Sequence, residues 1–413
     1  MNEQIKQRIT QLNNGEVPNG YEKTEIGTFP VGWKTTTLDK LLEFKNGVNA
    51  DKEKYNSGVK MISVMDILTD SPIYYDKIKG QVDIDEKTLD TYSVTYGDIL
   101  FQRSSETFED AGKSNVYLDQ DRTATYSGFV IRGKKKSDYN PYFLNEALRI
   151  GQVRNQIIRN AAGSQHINVG QDSLAKIIVP LASDVEQSKI AEILMKWDEA
   201  IELQEEFLHT LEIKRMAILQ SFFSKEKCSN WIKFSDYVKE VSNRNNIGCQ
   251  NVKSVSNKNG FIDQSSQFSK QVASEDVSKY KVVTKDCVAY NPSRINVGSI
   301  AIYNEDIPGI VSPMYVVFKC VNMNPRFLLL LLETARGKYE VKSYLSGSVR
   351  DSLAFEDLKS IEIAVPPKEK WGEIVDIFNI IDAQYSLYND KLSFLKRQRK
   401  ALQQYLLNGI VRV

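Results

Sequence analysis

The sequence predicts an α+β protein: two similar mixed α/β domains separated by two long antiparallel coiled-coil helices, related by a pseudo-two-fold internal repeat. Three observations support this fold class. A junction motif occurs twice, an Asn-Pro helix start occurs twice at the same spacing, and a heptad-like pattern follows each junction motif. Repetition at one fixed spacing indicates that the same supersecondary unit is built twice.

The junction motif reads GSQHINVGQDSLAKIIVP at 163–180 and GSVRDSLAFEDLKSIEIAVP at 347–366. Both copies begin with Gly-Ser, contain an Asp and end on Ile-x-Val-Pro. The spacing between the copies, about 184 residues, also separates Asn140-Pro141 from Asn324-Pro325. Asn is a favoured N-cap and Pro fits the first helical turn, so each pair predicts the start of a helix.

Short β-rich segments extend the repeat upstream of these helices. GDILFQR at 97–103 parallels KDCVAYNPSR at 285–294, and YSGFVIR at 126–132 parallels VSPMYVVFK at 311–319. Their β-branched and aromatic residues, bounded by Gly, Asn and Asp, are typical of strands. We expect each half to begin at a tryptophan, Trp33 or Trp231, and to form a domain of about 150 residues.

Two long helices are predicted after the junction motifs. Apolar residues alternate spacings of four and three over about five heptads, with polar breaks at Gln204, Arg215 and Arg399, which is the pattern of a coiled coil. Ser183 and Glu186 predict a capping box at the start of the first helix. The residues predicted to form the seam, and to dock partners, are Ile190, Leu194, Trp197, Ile201, Leu208, Leu211, Ile374, Phe378, Ile381, Tyr385, Leu392 and Leu395.

The predicted division has five segments. RITQLNNGEV at 8–17 resembles LQQYLLNGIV at 402–411, so the first residues are expected to be a helix that completes the repeat. The segments are an N-terminal helix (1–20), a first α/β domain (21–180), a central spacer helix (181–225), a second α/β domain (226–367) and a C-terminal spacer helix (368–413).

Composition bears on the possible partners, on the state of the cysteines and on membrane association. A net charge of +1 neither requires nor excludes a polyanionic partner, so any basic surface must be local. The four cysteines, Cys228, Cys249, Cys287 and Cys320, form no C-x-x-C pair and are expected to be free thiols in a reducing cytoplasm. The longest apolar run, Phe327–Leu332, is far short of a membrane span, so no membrane partner is expected.

No catalytic motif is complete. AGKS at 111–114 lacks the first glycine of a phosphate-binding loop, because Thr107 occupies that position. NPYF at 140–143 lacks the second proline of an amino-methyltransferase motif and is better explained as a helix cap. His166 has no second metal ligand nearby. His209 lies inside a helix of charged and apolar residues and is interpreted as part of its solvated face. The carboxylates include no spaced pair with a nearby lysine, which is the arrangement that nucleases use. We therefore expect no catalytic residue, no metal site and no cofactor bound by this chain.

Polar loops recur in both halves. Arg and Asn can pair with guanine and adenine edges, whereas Ser and Lys suit phosphates, so duplicated loops of these residues favour DNA binding over simple turns. The predicted DNA-binding residues are Lys45, Asn46, Arg103, Ser104, Ser105, Lys113, Gln165, His166, Asn168, Arg244, Asn245, Ser293, Arg294, Asn296, Ser348 and Arg350.

With these motifs in place, the chain resembles the specificity subunits of type I restriction–modification enzymes over essentially its whole length. The resemblance rests on YEKTEIGTFPVGW at 21–33, both junction motifs, EQSKIAEIL at 186–194 and LKRQRKALQQYLLNG at 395–409. It implies two target recognition domains that each read one part of an asymmetric, bipartite DNA site. The second junction continues as PPKEKW, where Pro-x-x-Glu-Gln is expected.

The resemblance also implies the partners. These are double-stranded DNA, two modification (methyltransferase) subunits and restriction (motor-nuclease) subunits, in the cytoplasm. S-adenosylmethionine, ATP and Mg are expected on those partner subunits, and the chain itself is expected to be non-catalytic. Two alternatives remain at this stage: a coiled-coil scaffold that binds proteins, and a stand-alone sequence-specific DNA-binding regulator.

Overall fold

The computed structural model describes residues 3–257, 259–264, 276–345 and 352–413. The chain divides into two compact units. Unit 1 comprises Met1–Glu205 with Lys391–Val413, and unit 2 comprises Glu206–Asp390. Each long helix therefore contributes one part to each unit.

The helices confirm the two long predicted segments. The first long helix is α8 (Asp184–Phe222, 39 residues) and the second is α12 (Trp371–Leu407, 37 residues). The other α-helices of the described residues are α1 (Glu3–Asn13), α2 (Leu38–Leu41), α3 (Val64–Ile67), α4 (Glu86–Thr91), α5 (Pro141–Ala147), α6 (Gly151–Arg159), α7 (Gln171–Ala175), α9 (Pro325–Glu333), α10 (Ala335–Leu345) and α11 (Phe355–Ser360). Short 3₁₀ segments are Lys52–Lys54, Tyr75–Lys77, Phe234–Asp236, Ile295–Val297 and Lys368–Lys370.

Unit 1 is built around a four-stranded antiparallel sheet in the order β4-β11-β7-β9, next to smaller sheets β10-β5-β6, β1-β2, β8-β12 and β3-β13. Its strands are β1 (Tyr21–Thr24), β2 (Gly27–Pro30), β3 (Lys34–Thr37), β4 (Leu42–Asn46), β5 (Tyr55–Ile62), β6 (Gln81–Val82), β7 (Ile99–Gln102), β8 (Ser104–Ser105), β9 (Ser114–Val116), β10 (Thr125–Tyr126), β11 (Val130–Lys135), β12 (Ile167–Asn168) and β13 (Ile178–Leu181).

Unit 2 repeats the four-stranded sheet in the order β15-β22-β19-β20, with pairs β14-β23, β16-β17 and β18-β21. Its described strands are β14 (Asn230–Lys233), β15 (Val238–Glu240), β16 (Lys253–Ser256), β17 (Gly260–Asp263), β18 (Lys281–Val283), β19 (Cys287–Tyr290), β20 (Ile300–Ile302), β21 (Gly309–Val311), β22 (Val316–Cys320) and β23 (Glu362–Val365).

The internal repeat is confirmed by topology. The segments paired in the sequence form equivalent strands: β7 and β19 are the third strands in the order of their sheets, and β11 and β22 are the second. Asn140 and Asn324 cap α5 and α9, accepting hydrogen bonds from the backbone N–H of Phe143 (3.0 Å) and Arg326 (2.8 Å). The two halves therefore share fold and caps, as predicted.

The tryptophan pairing is wrong. In β14, Trp231 lies opposite Ala364; the shared Ile-x-Val-Pro ending aligns Ala364 with Ile178, and the residue of β3 opposite Ile178 is Thr37. Trp33 precedes its strand and is buried, whereas Trp231 is 65% exposed. Each tryptophan lies near the start of its half of the sequence, but the register of β3 with β13 and of β14 with β23 shows that the two positions are not equivalent.

The capping box of the first long helix is half correct. The Ser183 hydroxyl accepts a hydrogen bond from the Glu186 backbone N–H at 3.3 Å, as predicted. The Glu186 carboxylate, however, accepts from Trp33 Nε1 (2.9 Å) and from Arg412 (2.6 Å). These two long-range partners thus replace the local bond of the capping box. They link Trp33, near the start of the chain, and Arg412, near its end, to the start of the first long helix.

The predicted seam residues are buried or half-buried in the structure. Five of them, Ile190, Leu194, Leu208, Ile374 and Phe378, are at most 6% exposed. Within unit 2, Phe207 and Tyr388 meet edge to face at 4.7 Å, and within unit 1, Lys396 pairs with Glu205 at 2.5 Å. Residue numbers rise on one helix as they fall on the other, so the helices are antiparallel. These five side chains cannot also dock a partner, which corrects that part of the prediction.

The N-terminal helix α1 lies in unit 1. Its apolar residues Ile5, Ile9 and Leu12 are half-buried, and Arg8 donates a hydrogen bond to the carbonyl of Ile410. In the described residues no helix is both long enough and apolar enough to cross a membrane.

Candidate nucleic-acid interface

Strand direction brings the predicted loops together at one end of each four-stranded sheet. In unit 1, β4 and β7 both run antiparallel to β11, so they are parallel to each other and end at the same edge. The turn that precedes β11 lies at that edge too. In unit 2, β15 and β19 have the same relation to β22. We call this edge the loop end of each sheet.

Arg103 occupies the loop end of unit 1, directly after β7. Its backbone N–H donates to the carbonyl of Phe129 at 3.0 Å, and its guanidinium reaches the carbonyl of Gly128 at 3.4 Å. This second bond is long, and Arg103 is only half-buried. The guanidinium therefore keeps donors that a base edge can use.

Ser104 and Asn168 are joined at the same place. The β8 and β12 strands pair there, and the Ser104 hydroxyl donates to the Asn168 side-chain carbonyl. Gln165 and His166 are exposed in the loop just before β12. The structure thus brings the 102–105 and 163–168 loops, which are far apart in sequence, onto one surface.

Lys45 and Asn46 end β4 at this edge but are only half-buried. The Lys45 ammonium lies 4.7 Å from the centre of the Tyr92 ring, and the Tyr126 hydroxyl donates to the Lys45 carbonyl at 3.3 Å. Burial raises the pKa of the Tyr126 hydroxyl above its ordinary value, so it remains a neutral donor. The contacts fix the strand end beneath the loops.

Three predicted residues are already committed to contacts of their own. Ser105 is 6% exposed and its hydroxyl donates to the Thr107 carbonyl at 2.7 Å. Asn245 is 6% exposed, and its side chain both donates to and accepts from the Cys249 backbone at 2.8 Å. We therefore withdraw Ser105 and Asn245 as base-reading residues. Lys113 is exposed but forms an ion pair with Asp110 at 2.6 Å.

In unit 2, Ser293, Arg294 and Asn296 are exposed in the loop after β19. Backbone bonds hold this loop: the Arg294 N–H donates to the Asn291 carbonyl at 3.0 Å, and its own carbonyl accepts from Ser299 at 3.1 Å. Arg244 is exposed after β15 at the same edge. The loop ends of both units therefore carry arginines.

The two junction motifs make one equivalent contact. In unit 1 the Val169 N–H donates to the Arg103 carbonyl at 3.0 Å, and in unit 2 the Leu353 N–H donates to the Pro292 carbonyl at 3.1 Å. Each junction motif thus buttresses the loop after the third strand of its sheet. The predicted residues Ser348 and Arg350, in the second motif, lie outside the described residues.

The structure adds two exposed apolar residues that sequence reasoning missed. Phe129 (66% exposed) lies in the turn before β11, and Met314 (61% exposed) lies in the turn before β22. A Cβ at Gly128 would lie 1.8 Å from the Asn49 side chain, so a larger residue there would require Asn49 to move. The available signal was the pairing of YSGFVIR with VSPMYVVFK, which places an apolar side chain in the same turn of both halves.

One lysine–carboxylate cluster escaped the sequence search. Lys253, whose side chain is 7% exposed, lies between Asp263 (2.8 Å) and Glu305 (2.5 Å). Burial lowers the pKa of Lys253, but both carboxylates outweigh that effect and raise it. Lys253 is thus a charged crosslink between β16, β17 and the loop after β20. Among the described residues no group of three or more His, Cys, Asp or Glu side chains could hold a metal ion.

The long helices also carry an exposed apolar row. Within unit 2, Ile380 and Leu387 lie seven residues apart on the second long helix and are 68% and 67% exposed. We call these two residues the outer stripe. A heptad row lies along one side of a helix, so the stripe is distinct from the buried seam.

These features define a class: a tandem-repeat protein with two α/β units, each presenting arginine-bearing loops, built along a pair of long antiparallel helices. The family model for the type I restriction modification DNA specificity domain matches residues 30–212 and 229–397. The chain therefore belongs to that family.

Relatives and solved structures agree with this assignment. The chain is 25% identical over 430 residues to a protein of Methanocaldococcus jannaschii named as the MjaX specificity subunit of a type I restriction enzyme, covering 95% of this chain and 97% of the relative. The fold is similar to the S subunit of a type I restriction–modification system from M. genitalium (TM-score 0.54, 15% identity, 95% and 97% coverage). It is also similar to a chain solved in a study of type I complex assembly and conformational transition (TM-score 0.54, 13% identity, 93% and 99% coverage).

Proposed function

We propose that this chain is the DNA sequence-recognition subunit of a type I restriction–modification complex. Each unit reads one half of an asymmetric, bipartite DNA site through the loop end of its sheet. The observation that carries the proposal is the placement of an arginine in the loop after equivalent strands of the two units: half-buried Arg103 after β7 and exposed Arg294 after β19.

The chemistry of the loop ends suits direct readout. An arginine can donate two parallel hydrogen bonds to the O6 and N7 atoms of guanine, and amides such as Asn168 and Asn296 can pair with adenine. Phe129 and Met314 can contact a thymine methyl group in the same groove. Lys and Ser side chains around them suit phosphates, which position the protein without carrying sequence information. Because the loops differ between units, the two half-sequences should differ.

We further propose that catalysis belongs to partner subunits. Two modification subunits would methylate adenine with S-adenosylmethionine, and restriction subunits would use ATP and Mg. The outer stripe is a suitable docking surface for a modification subunit, since exposed apolar rows on a long helix favour burial against another helix. The complex would act in the cytoplasm.

The domain division proposed for the chain is the five-segment one: 1–20, 21–180, 181–225, 226–367 and 368–413. In it the α/β segments carry recognition and the helical segments carry assembly. Exchanging 21–180 for the same segment of another family member tests this division, because it should change one half of the methylated sequence and leave the other half intact.

A gel shift tests the function and its alternatives. Purified chain mixed with modification subunits should bind a bipartite site selectively, and methylation should require both. Robust methyl transfer, cleavage or ATP hydrolysis by the isolated chain would contradict the assignment of catalysis to partners. Full selectivity without modification subunits would instead favour a stand-alone regulator, and absence of any DNA binding would favour a protein scaffold.

A further inference from the structure

Two of the polar breaks in the helix seams, Arg215 and Arg399, form similar ion-pair clusters. In unit 1, Arg399 of the second long helix donates to Asp198 of the first through Nε (2.8 Å) and a terminal nitrogen (3.0 Å). The same guanidinium reaches Glu146 of α5 at 2.7 Å and the Tyr142 hydroxyl at 2.9 Å. One side chain thus bridges both long helices and the α/β domain.

Unit 2 repeats this arrangement with the helices exchanged. Arg215 of the first long helix pairs with Asp382 of the second at 2.7 Å and with Glu333 of α9 at 2.8 Å. Arg326 of α9 also pairs with Asp382. We call these two clusters the arginine clamps.

The repeat spacing relates the arginine and the aspartate of the two clamps, although not their third partners, Glu146 and Glu333. Adding 184 to Asp198 gives Asp382, and adding it to Arg215 gives Arg399. The same spacing takes Tyr142 to Arg326, and both residues hydrogen-bond the clamp aspartate in their own unit. Two different side chains at one equivalent position therefore serve one contact. This argues that the contact, and not the residue type, is what the fold requires.

The clamps place charged side chains where they are largely buried, and burial of a charge is costly unless the charge is paired. The side chain of Arg399, a polar break in the seam, is 11% exposed, and that of Glu146 on α5 is 1% exposed. Burial by itself lowers the pKa of Arg399, but Glu146 and Asp198 outweigh it and raise the pKa above its ordinary value. A buried ion pair is weak evidence for stability, but it can fix a unique register. The arginine guanidinium is planar and its donors are rigidly placed, so it accepts its partners in few orientations.

We propose that Arg399 and Arg215 are positioning residues that fix the orientation of each recognition domain on the helix pair, and thereby set the gap between the two half-sequences. The proposal rests on the proposed function. Within each unit the clamp arginine bonds all three parts through one side chain, so loosening it should let the domain rotate on its helices. Base contacts at the loop ends are untouched by such a rotation.

The test uses the full chain with its modification subunits. Arg399→Lys keeps the positive charge but replaces the planar guanidinium with a single ammonium group, so it can hold the cluster together without fixing its orientation. Arg215→Lys does the same in unit 2. Methylome sequencing should show both half-sequences unchanged, with the preference for the parental gap over a gap one base pair longer or shorter reduced about tenfold.

A matched control is Lys396→Gln. It removes the exposed pair with Glu205, which joins the two helices in unit 1 without touching the α/β domain. This variant should keep the parental gap preference. If neither lysine variant relaxes the gap, or if either abolishes methylation at every gap, the clamps only support the fold and the proposal is overturned. Failure of the proposed function would appear separately, as a parent chain that directs no bipartite methylation.

Discussion

Lengthening the helix pair by one heptad in each helix should lengthen the unread gap in the DNA site. The insertions go within 201–208 of the first long helix and within 385–392 of the second. Phe207 and Tyr388 meet at 4.7 Å in this region, so the two inserted heptads face each other and the seam stays in register.

The magnitude follows from helix geometry. Seven residues at 1.5 Å each add about 10 Å to the pair. Base pairs stack about 3.4 Å apart, so the gap should grow by roughly three base pairs while both half-sequences stay the same. Three added base pairs also rotate one half-sequence around the duplex axis by about a third of the ten-base-pair turn. Some affinity should therefore be lost, because the loop end of one unit no longer faces its half-sequence directly.

Methylome sequencing of cells that express the lengthened chain with modification subunits measures the gap directly. A control with the heptad in one helix only puts the seam out of register and should give little folded protein. A double-heptad variant that keeps full activity at the parental gap would refute the inference that helix length sets the gap.

Three further outcomes are expected. Leu387→Glu, on the outer stripe, should leave the melting temperature unchanged but weaken modification-subunit binding at least about tenfold by calorimetry, and unchanged binding would exclude the stripe as the docking surface. Phe378→Ala should lower the free energy of unfolding by about 3–5 kcal/mol in denaturant titrations because the ring is fully buried, and a loss below about 1 kcal/mol would contradict that packing. Arg294→Ala should cost about 1–3 kcal/mol of specific DNA binding and relax one base position, whereas a uniform loss across all sequences would indicate a phosphate contact.

The helical part of the fold was predictable because its signals are local and periodic. Asparagine caps before proline, and a seam sustained over about five heptads, determine where helices start and which face is buried. The antiparallel pairing followed as well, since the seams of α8 and α12 need a partner and the repeat supplies one. The sheet order β4-β11-β7-β9 was not predicted, because strand pairing depends on contacts between distant segments.

The candidate interface was predicted less completely, for a physical reason. Asn and Ser can read bases, but they also close turns with the same atoms, and sequence cannot distinguish the two uses. Asn245 therefore proved to be a buried turn residue, whereas Asn296 remained exposed. Phe129 was missed because an isolated aromatic residue in a strand-like segment is usually a core residue, and only its place in the turn exposes it.

The clamps show the same limit at longer range. Arg399 was recognised as a polar break in the seam, but its partners Asp198 and Glu146 lie about 200 and 250 residues away in the chain. Nothing local to Arg399 identifies them. The repeat spacing is the one sequence feature that relates these residues, since it takes Asp198 to Asp382 and Arg215 to Arg399.

The most direct test of the central claim is methylome sequencing of a methylation-free host that expresses modification subunits with and without this chain. The account predicts that an asymmetric, bipartite adenine-methylated sequence appears only when the chain is present, and that Arg103→Ala and Arg294→Ala each alter a different half of it. Methylation of the same sequence without the chain, or loss of both halves from either single substitution, would contradict the account.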